Sequence, residues 1–277
     1  MNFRGALAIF KNELSRFFRT AFGSILSPVL TTSLYLVVFG AAIGSRMDPE
    51  LFGGASYGAF IVPGLIMLTL LSESTSNASF GIYMPRFTGA IYELLSAPVG
   101  VAETLIGFVG AAAMKALIIA AIILVTATLF VDFSIAHPLL AAGYIVLVAA
   151  AFALFGFILG IWADGFEKLQ IVPMLILMPL TFLGGTFYSI RMLEEPWQTV
   201  AQFNPIFYLI NGLRWTFTGS SDVPIGLAFG MTVGFLALCI AVIAVIFRTG
   251  WRLRVRAVSV EHPNGCLPFS ISYAMQA

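Results

Sequence analysis

The chain has 277 residues, 60% of them hydrophobic and only 10% charged, with a formal net charge of +1. Soluble domains carry about 25% charged residues, so this composition excludes an ordinary soluble domain and indicates a polytopic membrane protein. A charge so close to zero gives no general attraction for nucleic acid. Cys239 and Cys266 are too isolated to build a disulfide framework or a metal site.

In NFRGALAIFKNELSRFFRT, residues 2–20, Phe3, Leu7, Phe10, Leu14 and Phe17 recur at steps of three or four. That is the spacing of one helical face, while Arg4, Lys11, Ser15 and Arg19 fall at other angles. Residues 1–21 therefore read as a basic amphipathic helix lying in the headgroup plane. No cleavable signal peptide is legible before the first apolar run.

Six apolar runs follow, near 22–43, 57–79, 101–131, 138–163, 170–189 and 225–247. Each is long enough to cross about 30 Å of hydrocarbon as a helix. With the amino terminus inside, cytoplasmic segments hold Arg4, Lys11, Arg16, Arg19, Arg86, Lys168, Arg248, Arg252, Arg254 and Arg256, against Arg46, Arg191 and Arg214 outside. Basic residues concentrate in cytoplasmic loops, so both termini are expected to be cytoplasmic.

The loop between the second and third runs, FGIYMPRFTGAIYELLSAPVG, has Pro85 near its start and Pro98 near its end. Proline disfavours α conformation in the residue before it, so the pair brackets a short helix. Phe87, Ile91, Leu94 and Leu95 make its apolar face, with Arg86, Tyr92 and Glu93 as polar contacts. A partner's handle and an ordinary interfacial loop helix both fit this pattern.

Between the fifth and sixth runs, SIRMLEEPWQTVAQFNPIFYLINGLRWTFTG is too polar to cross a bilayer and too apolar for a free loop. Trp197, Val200 and Phe203 share one helical face after Pro196; Ile206, Leu209, Ile210, Leu213 and Phe217 share another after Pro205. Two half-helices dipping into the outer leaflet, broken at Asn204-Pro205, satisfy this pattern where the exposed backbone is buried in protein. After Arg256 the composition changes abruptly and the helical period ends, so 257–277 read as a poorly ordered cytoplasmic tail.

Several chemistries are missing. None of Lys11, Lys115 and Lys168 sits in G-x-x-x-x-G-K-[ST], and His137 and His262 are far apart with no ligand spacing. Glu73, Glu103 and Lys115 are the ionisable residues within the apolar runs, and such residues invite a functional hypothesis by default. The 12-residue gap between Glu103 and Lys115 is too long for a helical ion pair. Packing or snorkelling is the plainer reading for these three, and conformational coupling the alternative. Gly40-x-x-x-Gly44, Gly156-x-x-x-Gly160 and Gly226-x-x-x-Gly230-x-x-x-Gly234 permit close helix approach.

Three stretches together resemble the ABC-2 type permease family, the membrane subunits of bacterial ABC exporters. They are RFTGAIYELLSAPV (86–99), PLTFLGGTFYSIRMLEEPWQTVAQFNPIFYLINGLRWTFTG (179–219) and FRTGWRLR (247–254), and the resemblance extends over about residues 2–256. It implies an all-α fold in which 22–256 form one six-span transmembrane domain. It also implies a homodimer in the bacterial inner membrane, bound to two copies of a cytoplasmic ATPase. ATP and Mg would sit on that partner, and this chain would hold no catalytic residue, metal or cofactor. Arg86, Ile91, Tyr92, Glu93, Leu94 and Leu95 would couple to the ATPase. Trp197, Asn204 and Pro205 would form an extracellular gate. Tyr35, Phe39, Thr181, Phe182 and Phe187 would line the path of a drug, lipid or lipid-linked glycan, although these aromatics could equally face lipid. Two other readings remain: an ion-coupled secondary carrier, and a membrane-embedded enzyme for which Glu194-Glu195 is the one close acidic pair.

Overall fold

The computed structural model describes residues 2–47, 52, 54–91 and 99–249. Among these residues every regular element is helical, and six helices are long and apolar enough to cross a membrane. Helix α1 (Phe3–Arg19) begins at Asn2, whose side chain accepts from the Gly5 amide, and ends with Arg16 and Arg19 in its last turn. Cations there complement the negative end of the helix dipole. Thr20 breaks the helix, and α2 (Ala21–Tyr35) starts at once, continuing as a π-helix over Leu36–Ile43.

The centre of the fold is α3 (Tyr57–Thr88), packed between α4 (Val101–Ala127) and α5 (Pro138–Trp162). The main core joins Ile61, Leu65 and Leu70 of α3 to Ile119 and Ile123 of α4 and Tyr144 and Val148 of α5. Close approach of α3 to α5 depends on two glycines. A Cβ at Gly156 would lie 2.3 Å from the Thr75 carbonyl oxygen, and one at Gly160 would lie 2.5 Å from that of Ser79. The packing reading of this glycine pair is met within the protomer. Around Gly226, Gly230 and Gly234, by contrast, nothing lies within 4 Å of an added Cβ.

The second span is longer than the predicted 57–79, and its helix runs through Pro85 to Thr88 before stopping at Gly89 with φ 80°. Pro85 lacks the N–H that would bond the Gly81 carbonyl, which normally favours a break. Tertiary contacts outweigh that loss: Ile82 and Tyr83 are buried, and Arg86 donates twice to the end of α5. The bracketed loop helix therefore does not begin at Pro85. Its remainder, residues 92–98, lies outside the described residues, as does the 250–277 segment.

The fifth span is built in three pieces: α6 (Phe166–Ile171), a π-helical stretch over Val172–Leu177, and α7 (Met178–Leu183). Pro173 and Pro179 each remove an amide donor from the α ladder, in keeping with a wider turn between them. The span starts earlier and ends earlier than the expected 170–189. Outside it stand two half-helices, α8 (Glu195–Gln202) and α9 (Pro205–Thr218), and the last span is α10 (Ile225–Thr249). α9 is buried along most of its length against α3, α5 and α10.

Candidate functional site

Four of the five residues expected to line the path meet in one aromatic patch. Tyr35 and Phe39 come from the C-terminal half of the first span, Phe182 from α7 and Phe187 from the turn beyond it. Ring centroids lie 4.6 Å apart for Phe39–Phe187, 5.5 Å for Tyr35–Phe187 and 5.3 Å for Phe182–Phe187. These are the separations at which offset and edge-on rings attract. All four side chains remain partly exposed. Thr181 does not share that surface: it is 1% exposed, its hydroxyl donates to Leu177 O at 2.6 Å, and its carbonyl accepts from Thr186. It holds the end of the span together behind the patch. The turn is fixed against α3 by the Tyr57 hydroxyl, which donates to Phe187 O at 2.8 Å.

Of the three expected gate residues, Asn204 and Pro205 begin α9 together and Trp197 stands apart. Asn204 is buried and caps α9, its Oδ1 accepting from the Ile206 amide at 3.0 Å. Its Nδ2 donates to Leu180 O, so one side chain joins the second half-helix to the fifth span. Pro205 follows as the first residue of α9, where its missing N–H is harmless. Trp197, on α8, is 57% exposed and belongs to neither contact.

Arg214, counted from the sequence only as an outside positive charge, and Asp222, not singled out at all, organise this region. Arg214 is 3% exposed; its Nη2 donates to Gly185 O at 2.6 Å, and its guanidinium carbon lies 3.9 Å from the centre of the Phe60 ring. Burial pulls its pKa down to about 10, against the opposing charge of Asp222, which still leaves it protonated at neutral pH. Asp222 accepts from Ser189 Oγ at 2.9 and 3.0 Å and from Arg191 Nε at 3.3 Å, while its own amide donates to Asn211 Oδ1. The signal for Arg214 was its place in the apolar run from Ile206 to Phe217, where a buried partner becomes necessary. Nothing in the local sequence marks Asp222.

At the opposite end, Arg86 Nη1 donates to Gly160 O at 2.9 Å and Ile161 O at 2.7 Å. These carbonyls belong to the last turn of α5 and have no partner in the helix ladder. Arg86 thus fastens the end of α3 to the end of α5. Beside it, the rings of Tyr83, Phe87 and Phe166 lie 5.0 to 6.1 Å apart and bind the start of α6 to the same corner. Ile91 packs partly buried against the second core. Tyr92, Glu93, Leu94 and Leu95 fall outside the described residues.

The intramembrane charges also find partners that lie far off in sequence. Glu13, on the buried side of α1 with Ala6 and Phe17, sits 2.6 Å from Arg16 Nη2 and 3.6 Å from Lys115 Nζ. Glu103 accepts from the Asn2 amide at 2.8 Å. Both contacts attach α1 to α4. Among the described residues no three His, Cys, Asp or Glu side chains are grouped to hold a metal.

With this geometry in hand, comparison with known proteins is informative. The sequence model of a family described as ABC-2 type transporter matches residues 5–218. The chain is 37% identical over 229 residues to the inner membrane transport permease YadH of Escherichia coli K12, covering 83% of this chain and 89% of that one. It is 26% identical over 254 residues to nodulation protein J of Rhizobium meliloti, covering 90% and 93% of the two chains. Nodulation protein J of Azorhizobium caulinodans is 24% identical over 212 residues, 75% of this chain and 81% of that one.

Proposed function

The chain belongs to the ABC-2 type transporter family, and from that premise we propose that it is the permease subunit of an ATP-driven exporter for an apolar or amphipathic molecule. At the coarser level it is a multi-pass inner-membrane transport permease. The observation that carries the finer reading is a membrane domain of this family whose sequence has no phosphate-binding loop. Its energy then comes from a separate ABC ATPase, with ATP and Mg on that subunit. Two copies of each chain make the transporter, and both termini are cytoplasmic.

Exposed apolar faces support a path formed between protomers. Phe22 is 81% exposed on the first span and Met174 67% exposed on the fifth, while the middle of α3 is closed by packing. The aromatic patch of Tyr35, Phe39, Phe182 and Phe187 lies at the outer end of these same two spans. It supplies a greasy, polarisable surface for cargo, with Thr181 as its support. Asn204 and Pro205 set the hinge between the half-helices above it, and Trp197 sits on the outer rim. We assign contact with the ATPase to Arg86 and Ile91 together with Tyr92, Glu93, Leu94 and Leu95, which follow Ile91 in the sequence.

Co-expression with a cognate ABC ATPase, followed by reconstitution into vesicles, tests the proposal. Cargo efflux is expected only with ATP. Efflux driven by a proton gradient without ATP would overturn it in favour of a secondary carrier.

A further inference from the structure

Where α1 turns into α2, a cavity of about 170 Å³ opens between four helices. Arg16 and Lys115 face it from α1 and α4, Glu73, Ser76 and Asn77 face it from α3, and Thr20 lies at the helix junction. The volume exceeds the ~150 Å³ that admits a benzene-sized molecule, and a polar lining of this kind does not stay dry.

The charges around it are unevenly satisfied. Among the described residues Glu13 is the sole carboxylate within ion-pair distance of both Arg16 and Lys115, and a single Oε2 serves the two. Two cations against one anion leave a surplus positive charge on that wall. Lys115 is 3% exposed, and at 3.6 Å its contact with Glu13 is too long for a hydrogen bond. Its three ammonium donors therefore have capacity left for the cavity. On the opposite wall Glu73 accepts from Asn77 Nδ2 at 3.0 Å, and among the described residues no cation lies within 4.0 Å of it. A carboxylate and a surplus cation thus face one space without reaching each other.

We infer that this cavity is a binding site for a phosphoethanolamine zwitterion, separate from the proposed cargo path. The phosphate would accept from Lys115 and Arg16, and the ammonium would donate to Glu73, Ser76 Oγ and Asn77 Oδ1. A choline group carries no N–H donor and leaves those acceptors unpaired, so the site discriminates between the two headgroups. Position suits a lipid source. α1 leaves Phe3 and Phe18 exposed, as an interfacial helix does, which sets the α1–α2 junction at headgroup depth.

The test uses the full chain, delipidated in maltoside detergent and titrated calorimetrically with dihexanoyl phosphatidylethanolamine, dihexanoyl phosphatidylcholine and free O-phosphoethanolamine. The ethanolamine lipid is expected to bind about tenfold tighter than the choline lipid, the loss expected when a charged acceptor goes unpaired. Glu73→Gln is expected to erase that preference while leaving the unfolding midpoint and elution profile unchanged. Lys115→Gln, combined with Glu13→Gln so that the net charge of the cluster is unchanged, is expected to weaken both lipids together. Tighter binding of the tailed form than of free O-phosphoethanolamine supports a leaflet lipid as occupant. Equal binding supports the same zwitterion site with a soluble ligand. Equal affinity for ethanolamine and choline lipids, or a preference that survives in Glu73→Gln, overturns the inference.

Discussion

Arg86 separates a structural from a direct role at the corner where the ends of α3 and α5 meet. Replacing it with alanine removes two hydrogen bonds from a charged donor, at 2.9 and 2.7 Å, and returns two α5 carbonyls to an unpaired state. Bonds to charged groups contribute about 1.5–3 kcal/mol each, and the side chain is only half-buried, so the lower value applies. The expected loss is then about 3 kcal/mol, or roughly a hundredfold in the folded-to-unfolded ratio. Both bonds leave the one nitrogen Nη1, and the shorter Arg86→Lys side chain brings its ammonium less far toward the two carbonyls, so about half the loss should return. The assay is denaturant unfolding of the purified chain in detergent, run beside ATP hydrolysis by the assembled transporter. If Arg86 acts by fastening α3 to α5, stability and cargo-stimulated hydrolysis fall together, and lysine partly restores both. An Arg86→Ala chain as stable as the parent, with hydrolysis uncoupled, would refute the fastening argument and leave a direct contact with the ATPase.

Further expectations come from the packing. Gly156→Ala puts a Cβ against the Thr75 backbone; overpacking of about 1–3 kcal/mol exceeds the ~1 kcal/mol helical gain, so the thermal midpoint falls. Gly230→Ala meets nothing within 4 Å and should leave the midpoint unchanged or raised. Asn204→Ala removes the α9 cap and the link to Leu180, which should cost about 1–2 kcal/mol and speed hydrogen exchange at the start of α9. Lys115→Met leaves buried Glu13 to Arg16 alone and should cost about 3 kcal/mol, most of it regained in the Glu13→Gln/Lys115→Met double variant by denaturant unfolding.

The spans were legible because hydrocarbon admits few backbone solutions. A run of about 20 apolar residues has to be helical, and all six runs are. The amphipathic spacing of α1 and the break at Asn204-Pro205 were readable for the same local reason. What escaped was decided across the fold. Pro85 is a sound stop signal by itself, yet Arg86 reaching a carbonyl 74 residues away carries the helix beyond it. Lys115 and Glu103 look like a pair separated by too many turns, when each has a different partner on or beside α1. Arg214 resembled an outside positive charge and is instead buried under Phe60 and Gly185.

The π-helical stretches at Leu36–Ile43 and Val172–Leu177 occur on the two spans that meet at the aromatic patch. Such a turn holds one residue more than an α turn, and that residue can be passed along a helix without breaking it. Each step re-indexes the side chains beyond it by roughly 100°, the angle of one residue in a 3.6-residue turn. Phe39 lies within one stretch, and Phe182 follows the other by only a few positions. A slip of this kind would exchange which rings meet in the aromatic patch while both spans keep their length and their place in the bilayer.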